Sequence, residues 1–470
     1  MNEIEYICIS DIHLGAYNSL FSSIGENEKV NFNKTPPVLR GLIDILKNFI
    51  IELKQSKKPK FILNGDIFEL AQANMNESVM AFDLFLREVY DTNGKKIFSD
   101  KIIFIPGNHD HHLWETARET QYLEFLKKIP PTDSIPPPWH HTKIINGTPL
   151  KSKFLTGIMR RHHRLNKGRA IIAYPNFVLN DKLNYKSIVI THGHFIESIY
   201  RLMSTIQSIC FPNNISDETI DSIEKENFAW IDFLWSMLGR SGKLGESVGL
   251  VYDMYLNNSS LELLAHRLIQ YLLSTEINKN IVQLIDPFVK LIIQQISNEI
   301  MNRERFLSDK LLGDDASEGL DWYISKPLKY QFMKENNSIL PKKMSFLFGH
   351  THKPFLQTRN GYSKFGYPES IEIINSGGWI IDSIEPKPLF GGSVILIDNN
   401  KNCYHLNLFK ETSNNPSLEI SNQNDSEILY FNLLKIMKNK KEIFEKFQND
   451  LFKEIEVRRR LVSNRVQITR

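Results

Sequence analysis

The stretch FLFGHTHKP, residues 346–354, joins an apolar run to a pair of histidines. The run Phe-Leu-Phe is typical of a buried strand, and Gly349 ends it. His350 and His352 then follow at the carboxyl end of that strand, the edge at which α/β sheets bind ligands. Imidazoles are common metal ligands. The stretch therefore predicts a metal site at a sheet edge, provided that other strands end in side chains of the same kind.

Four earlier apolar runs also end in metal-ligand or acid–base side chains. In chain order they are Asp11 and His13 after residues 4–10, Asp66 after 60–63, Asn108, His109 and Asp110 after 101–105, and His192 and His194 after 187–190. Amphipathic helices at 38–54 and about 77–90 separate the first three runs, which predicts βαβ units with their carboxyl ends at one edge. Asp66 is therefore expected beside Asp11, where two carboxylates repel each other unless a cation lies between them.

The composition favours a globular chain without a disulfide framework. Of 470 residues, 41% are hydrophobic and 24% charged, which is ordinary for a globular protein. The three cysteines form no CxxC pair, so neither a zinc ribbon nor a disulfide scaffold is predicted. The first ten residues lack a signal-peptide pattern, and no run of about 18 apolar residues is present. We expect a cytoplasmic protein.

The length exceeds that of one simple core, and the motifs divide the chain. We predict a first core part at 1–200, a helical insertion at 201–340, a second core part at 341–410, and a polar linker with a basic helical tail at 411–470. Apolar segments at 261–273 and 281–300 belong to the insertion, which is either a packing core or a lid over the site that accepts a lipid chain. Strand-like runs between 371 and 409 either close a second sheet or complete the first.

Two basic stretches leave their role open. Residues 160–169 (RRHHRLNKGR) form either a solvated surface or, through Arg160 and Arg161, a contact for substrate phosphate. From 435 to 470 there are eleven Lys/Arg and five Asp/Glu, a net charge of +6 in a chain whose net charge is +3. Such a tail is either a solvated helix packed on the body, an oligomer contact, or a surface for nucleic acid or anionic membrane.

The motifs DxH, GD, GNHD, HGH and GHTH, in this order, resemble those of the calcineurin-like metallophosphoesterase superfamily. The resemblance covers residues 1 to about 200 and 340 to about 410. The segments ISDIHLGAY, LNGDIFEL, GNHDHHLW and INSGGW look closest to the bacterial branch that includes UDP-diacylglucosamine pyrophosphohydrolases. The resemblance implies a four-layer αββα sandwich with the insertion and the C-terminal tail added to it.

The resemblance also implies a role for each motif residue. Asp11, His13 and His352 would hold one divalent ion, and Asn108, His192 and His350 a second, with Asp66 bridging them. A hydroxide between the ions would attack a phosphomonoester, phosphodiester or pyrophosphate. His109 would stabilise the transition state or protonate the leaving group, and Asp110 would orient its ring. The metals are expected to be manganese, iron or zinc, and the sequence does not choose among them.

Three questions remain open at the level of sequence. His194 either lines the substrate pocket or serves the structure. The basic tail would suit a metal-dependent nuclease as well as a phosphoesterase acting on small substrates. A scaffold that keeps the fold without catalysis is a third alternative, which the complete set of metal-ligand residues disfavours.

Overall fold

A computed structural model of the chain describes residues 2–90, 96–145, 147, 149–181, 185–213, 217–237, 304, 307–411, 419–422 and 427–468. Within these residues, two β-sheets pack face to face and helices pack against them. The strands are β1 Ile4–Ile9, β2 Lys60–Asn64, β3 Lys101–Ile105, β4 Leu150–Lys151, β5 Arg169–Ile172, β6 Asn176–Asp181, β7 Lys186–Thr191, β8 Lys343–Phe348, β9 Phe355–Asn360, β10 Ser370–Asn375, β11 Gly391–Asp398, β12 Cys403–Lys410 and β13 Glu419–Ser421.

The helices are α1 Pro37–Glu52, α2 Met75–Tyr90, α3 His112–Leu126, α4 Lys153–Met159, α5 Leu202–Cys210, α6 Ile220–Ile231, α7 Asp314–Tyr323, α8 Lys329–Glu335, α9 Ile428–Asn439 and α10 Lys441–Ile468. The helices predicted at 38–54 and about 77–90 are present, α3 and α4 of the first core part were not predicted, and further helices lie in the described ends of the insertion and in the tail. Short π-helical segments at Asp232–Met237 and Ile324–Leu328 continue α6 and α7. Helix α1 begins at a proline, whose fixed φ and missing N–H suit a first helical position.

The sheet topology confirms the predicted two-sheet sandwich. The first sheet has the order β13-β12-β11-β1-β2-β3-β5-β4, and the second has the order β6-β7-β8-β10-β9. Strands β1, β2, β3 and β5 run parallel, as do β7, β8 and β10. The runs between 371 and 409 take both of the roles left open, since β10 joins the second sheet while β11 and β12 join the first.

Burial on both faces explains why the central strands are apolar runs without alternation. In β1, Tyr6 and Cys8 belong to the apolar cluster between the sheets, together with Leu347 of β8. Ile7 and Ile9, on the other face of β1, pack in the large cluster that contains α1 and α2. A strand covered on both sides gains from apolar residues at every position.

Some predicted boundaries differ from those of the structure. Strands β4 to β6, within 150–181, were not predicted; β4 has only two residues, and β5 begins in the basic stretch at 160–169. The polar linker predicted at the start of 411–470 contains β13, which pairs with β12. The apolar segments 261–273 and 281–300 lie outside the described residues. In the described part of the chain, no helix is both long and apolar enough to cross a bilayer.

The C-terminal helix α10 packs on the body of the molecule. Phe447 is fully buried against α1, where a Cβ on Gly41 would lie 2.8 Å from its ring. Arg458 is also fully buried, and its Nε donates a hydrogen bond of 2.9 Å to the carbonyl of Ser19, with a second guanidinium contact to the carbonyl of Ser22. For the basic side chains of 435–470 other than Arg458, binding to nucleic acid or to an anionic membrane stays a prediction.

Replacing Phe447 by alanine should lower the free energy of unfolding by about 3–5 kcal/mol, because a buried phenyl ring is removed from a packed interface. Chemical denaturation measures the change. Phe452→Ala on the same helix is the matched control, since Phe452 is 46% exposed and its loss should cost below about 1 kcal/mol. Equal losses in the two variants would contradict the packing of α10 on α1.

Candidate metal centre

The carboxyl ends of β1, β2, β3, β7 and β8 meet at one edge of the sandwich. The loops that follow β1 and β2 are joined there by a hydrogen bond of 3.0 Å from the backbone of Asp11 to that of Gly65. The two sheets are joined beside it, because the Asn64 side chain donates a hydrogen bond of 2.9 Å to the carbonyl of Thr191. The loops after β3 and β8 reach the same edge, where the backbone N–H of His109 donates to Asp66 Oδ1 at 2.8 Å and that of Gly349 donates to the carbonyl of His192 at 2.9 Å.

The first group of candidate ligands is Asp11, His13 and His352, whose ligand atoms all lie within 4.8 Å of one another. His352 Nε2 is 3.4 Å from Asp11 Oδ1. His13 Nδ1 pairs with Glu69 Oε2 at 2.8 Å, whereas its Nε2 is buried and has no hydrogen-bond partner among the described residues. A buried imidazole nitrogen without a partner is unfavourable, and a cation within the group would satisfy it.

The second group is Asn108, Asp66, His192 and His350, gathered around one point. His192 Nε2 lies 3.1 Å from Asn108 Oδ1, 3.3 Å from Asp66 Oδ2 and 3.2 Å from His350 Nδ1. Ligand atoms that surround a metal at about 2.0–2.2 Å are separated from one another by about 3–3.5 Å. The separations in this group therefore fit the first coordination shell of one ion.

The tautomers of the two facing histidines support a cation in the second group. His192 Nδ1 donates to the carbonyl of Asn64 at 3.2 Å, and His350 Nε2 donates to Glu197 Oε1 at 2.5 Å. In their neutral forms, the nitrogens that face each other are thus both unprotonated acceptors, whose lone pairs repel. Burial would lower the pKa of His192, but the carboxylates of Asp66 and Asp11 raise it to about 9, so a proton on this ring offsets their charge where no metal ion is bound. A metal ion shared by the two rings would take the place of that proton. The residues present therefore fit a divalent ion in each group.

The backbone around the site is strained where it presents the ligands. Five candidate ligands have left-handed φ angles, although none is a glycine: Asp11 at 51°, His13 at 41°, Asp66 at 49°, His350 at 68° and His352 at 58°. Such conformations cost free energy and persist where the surroundings over-determine them, most often at functional sites. Close approach adds to this constraint, since a Cβ on Gly349 would lie 2.2 Å from Asp11 Oδ2.

The ring of His109 is oriented by Glu69, which corrects the role predicted for Asp110. His109 Nδ1 pairs with Glu69 Oε1 at 2.9 Å, and the other oxygen of the same carboxylate holds His13. Asp110 instead accepts hydrogen bonds from the backbone N–H groups of Gly107 and Ile67, both at 2.7 Å, and of Phe68 at 3.1 Å. It shapes the loop that carries His109 and does not bond to the imidazole.

Burial and charge divide the carboxylates of the site into two kinds. Burial would raise the pKa of Asp66, but His192 and His109 hold it well below its usual value, so this carboxylate stays ionised and able to bind a cation. Burial and the neighbouring Asp66 raise the pKa of Asp110 to about 7. The electrostatics thus favour Asp66 as a ligand and Asp110 as a structural group.

His194, Arg160 and Arg161 lie apart from the ligand atoms. His194 is buried behind the site, where its Nε2 contacts the hydroxyl of Tyr174 at 3.1 Å and its ring centroid is 5.7 Å from that of His192.

Arg160 Nε donates to the carbonyl of Gly168, just before β5 begins, and Arg161 lies 3.7 Å from Asp83. Because β5 runs parallel to β3, its start is at the opposite edge, and the structure does not bring either arginine to the site.

The comparison with protein families agrees with this geometry. Residues 4–236 match the family model of the calcineurin-like phosphoesterases. The chain belongs to the metallophosphoesterase superfamily. A search of curated proteins found no match. In this metallophosphoesterase, the family match begins with β1 and ends in the insertion, so it contains five of the seven candidate ligands, with His350 and His352 beyond it.

Two carboxylates that position histidines in this metallophosphoesterase were not predicted as site residues. Glu69 lies three positions after Asp66, within the motif LNGDIFEL, and its spacing was the available signal. Glu197 lies on the insertion side of β7 and shows no pattern in the sequence that marks it as a partner of His350. Both act on metal ligands through the second ring nitrogen, which fixes the tautomer and the ring orientation.

Replacing Glu69 by glutamine should weaken the binding of Mn²⁺ by about 10–100-fold, because His13 and His109 lose their shared anionic acceptor. Isothermal titration calorimetry of the metal-free protein with Mn²⁺ measures this change. Glu77→Gln is the control, since among the described residues Glu77 accepts side-chain hydrogen bonds from Asn74 alone, at the start of α2. Unchanged Mn²⁺ affinity in Glu69→Gln would show that this carboxylate does not support the site.

Proposed function

We propose that this metallophosphoesterase is a two-metal hydrolase of a phosphomonoester, phosphodiester or pyrophosphate. The observation that supports it best is the position of one atom, Asp66 Oδ2. It lies 3.3 Å from His192 Nε2 in the second ligand group and 3.9 Å from His13 Nε2 in the first. A carboxylate placed between two sets of ligands suits a bridging role, in which two ions would share the negative charge of that carboxylate.

The residues of the first group, Asp11, His13 and His352, would hold one ion, and Asn108, His192 and His350 would hold the other. When bound, two divalent ions lower the pKa of water and neutralise charge on a phosphate, which is the chemistry that the family uses. Mixed nitrogen and oxygen ligands suit manganese, iron or zinc. Two carboxylates beside two divalent ions leave a net positive charge, which attracts a phosphate anion.

The chain's own contribution to proton transfer centres on His109. Glu69 occupies its Nδ1, so a proton given to a leaving oxygen would come from Nε2. The backbone N–H of His109 donates to Asp66 Oδ1 at 2.8 Å, which fixes the imidazole relative to the bridging carboxylate. The same residue is therefore tied to the metal centre through its backbone and to an anionic partner through its ring.

The purified protein with Mn²⁺ should hydrolyse p-nitrophenyl phosphate or bis-p-nitrophenyl phosphate, and EDTA should abolish the reaction until Mn²⁺ is restored. Asp66→Ala should lower kcat to below about one thousandth of the wild-type value, because it removes the group shared by both ions. The rate of appearance of the yellow p-nitrophenolate ion is the measurement.

Asp133→Ala is the control, because Asp133 lies in the exposed proline-rich connection at 130–138 and its loss should leave kcat unchanged. Full activity in Asp66→Ala would contradict the two-metal proposal. An inactive wild-type protein that nevertheless binds Mn²⁺ would support the scaffold alternative instead.

A further inference from the structure

His111 is fully buried between two carboxylates of the insertion. Its Nε2 lies 2.9 Å from Glu224 Oε1 on α6, and its Nδ1 lies 3.3 Å from Asp232 Oδ1 at the start of the segment that continues α6. The residue follows Asp110 directly in the loop after β3. It therefore joins the loop that carries His109 to the described part of the insertion.

The geometry requires that His111 carry a positive charge. Ionised carboxylates only accept hydrogen bonds, so both ring nitrogens must be donors, which is the imidazolium form. Burial alone would lower the pKa of His111, but Glu224 and Asp232 raise it to about 9. The second oxygen of Glu224 accepts from the hydroxyl of Tyr174 at 2.9 Å, so the acceptors of this cluster are well occupied.

The segment held by this cluster lies beside the candidate metal centre. Ser236 Oγ donates a hydrogen bond of 2.8 Å to the backbone carbonyl of Asn108. The ring of Trp235 is 6.3 Å from that of His109 and 5.3 Å from that of Tyr200, measured between centroids. Tyr200 is in turn 5.0 Å from His350. Trp235 of the insertion and Tyr200 at the end of the first core part thus form a row of aromatic rings from His109 to the candidate ligand His350.

We propose that His111 is a positioning residue that fastens the insertion to the catalytic loop through Glu224 and Asp232 and so seats Trp235 beside His109, where it contacts the leaving group of the substrate. The effect of Trp235 on KM rests on the proposed function, whereas the fastening of the insertion by His111 does not. The proposal assigns His111 no contact with the reacting atoms, because both of its ring nitrogens are used by the insertion.

The contact of Trp235 with the leaving group should act on binding more than on chemistry, because it is made in the ground state and the transition state alike. With p-nitrophenyl phosphate, His111→Gln and Glu224→Gln should each raise KM about tenfold while kcat stays within about threefold. Trp235→Ala should raise KM to a similar extent. Removing His111 leaves two buried carboxylates unpaired and can prevent folding. Glu224→Gln is then the variant to measure, because the glutamine still offers His111 a hydrogen-bond acceptor.

The combination of Glu224→Gln with Trp235→Ala separates positioning from general destabilisation. If Glu224 acts by seating Trp235, the double variant should have the KM of Trp235→Ala alone; independent effects would multiply to about a hundredfold. His162→Gln is the matched control, because His162 is also a buried histidine paired with a carboxylate. Its Nε2 lies 3.1 Å from Asp83 Oδ1, in a part of the molecule away from the site. The KM of this variant should equal that of the wild type. Multiplying effects, or an unchanged KM in Glu224→Gln, would overturn the proposal.

Hydrogen exchange tests the fastening without any activity. Amides of residues 220–237 should exchange at least about tenfold faster in Glu224→Gln than in the wild type, whereas those of β1 to β3 should not change. Unchanged exchange at 220–237 would overturn the proposal even if the enzyme is active. If exchange at 220–237 is faster in Glu224→Gln but the wild-type protein hydrolyses no phosphate ester, the fastening of the insertion by His111 is supported. The proposed function, and with it the role of Trp235 at the leaving group, is then rejected.

Discussion

Mutual repulsion between the buried carboxylates of Asp11 and Asp66 is the constraint around which the rest of the structure is arranged. Burial raises the pKa of both carboxyl groups, and the charge of Asp66 raises that of Asp11 further, so keeping both ionised is costly. The surrounding imidazoles oppose this cost, and bound cations would remove it. The left-handed backbone of five candidate ligands shows that the fold accepts local strain to bring these groups together.

The described ends of the insertion and the residues that flank it are part of this arrangement. Glu197, which follows β7, accepts from His350 through one oxygen and from the backbone of Glu304 through the other, at 2.8 Å. Glu304 forms a buried ion pair of 2.7 Å with Lys353, the residue after His352. The departing and returning ends of the insertion are thus linked to each other and to the loop that carries two candidate ligands.

The strand ends and their ligand-type side chains could be predicted from sequence because they follow a rule that needs no tertiary knowledge. Parallel strands share an edge, so Asp11, Asp66 and Asn108 had to meet. The partners of the histidines could not be predicted in this way. Asp110 stands next to His109 in the sequence, yet Glu69 reaches the ring, because the loop after β3 turns Asp110 toward backbone N–H groups. Glu224 and Asp232 lie on helical segments whose docking no periodicity specifies.

The distance along the chain between the ligands has a consequence for synthesis. The backbone of His350 bonds to the carboxylate of Asp11, 339 residues away. Closing so long a loop costs about 5 kcal/mol in chain entropy. At a translation rate of 5–20 residues per second, roughly 20–70 s pass between the emergence of these two residues from the ribosome. During that interval the segments of β1, β2 and β3 are synthesised without β8, so the nascent chain carries five of the seven candidate ligands by residue 192 and the apolar residues that β8 later covers.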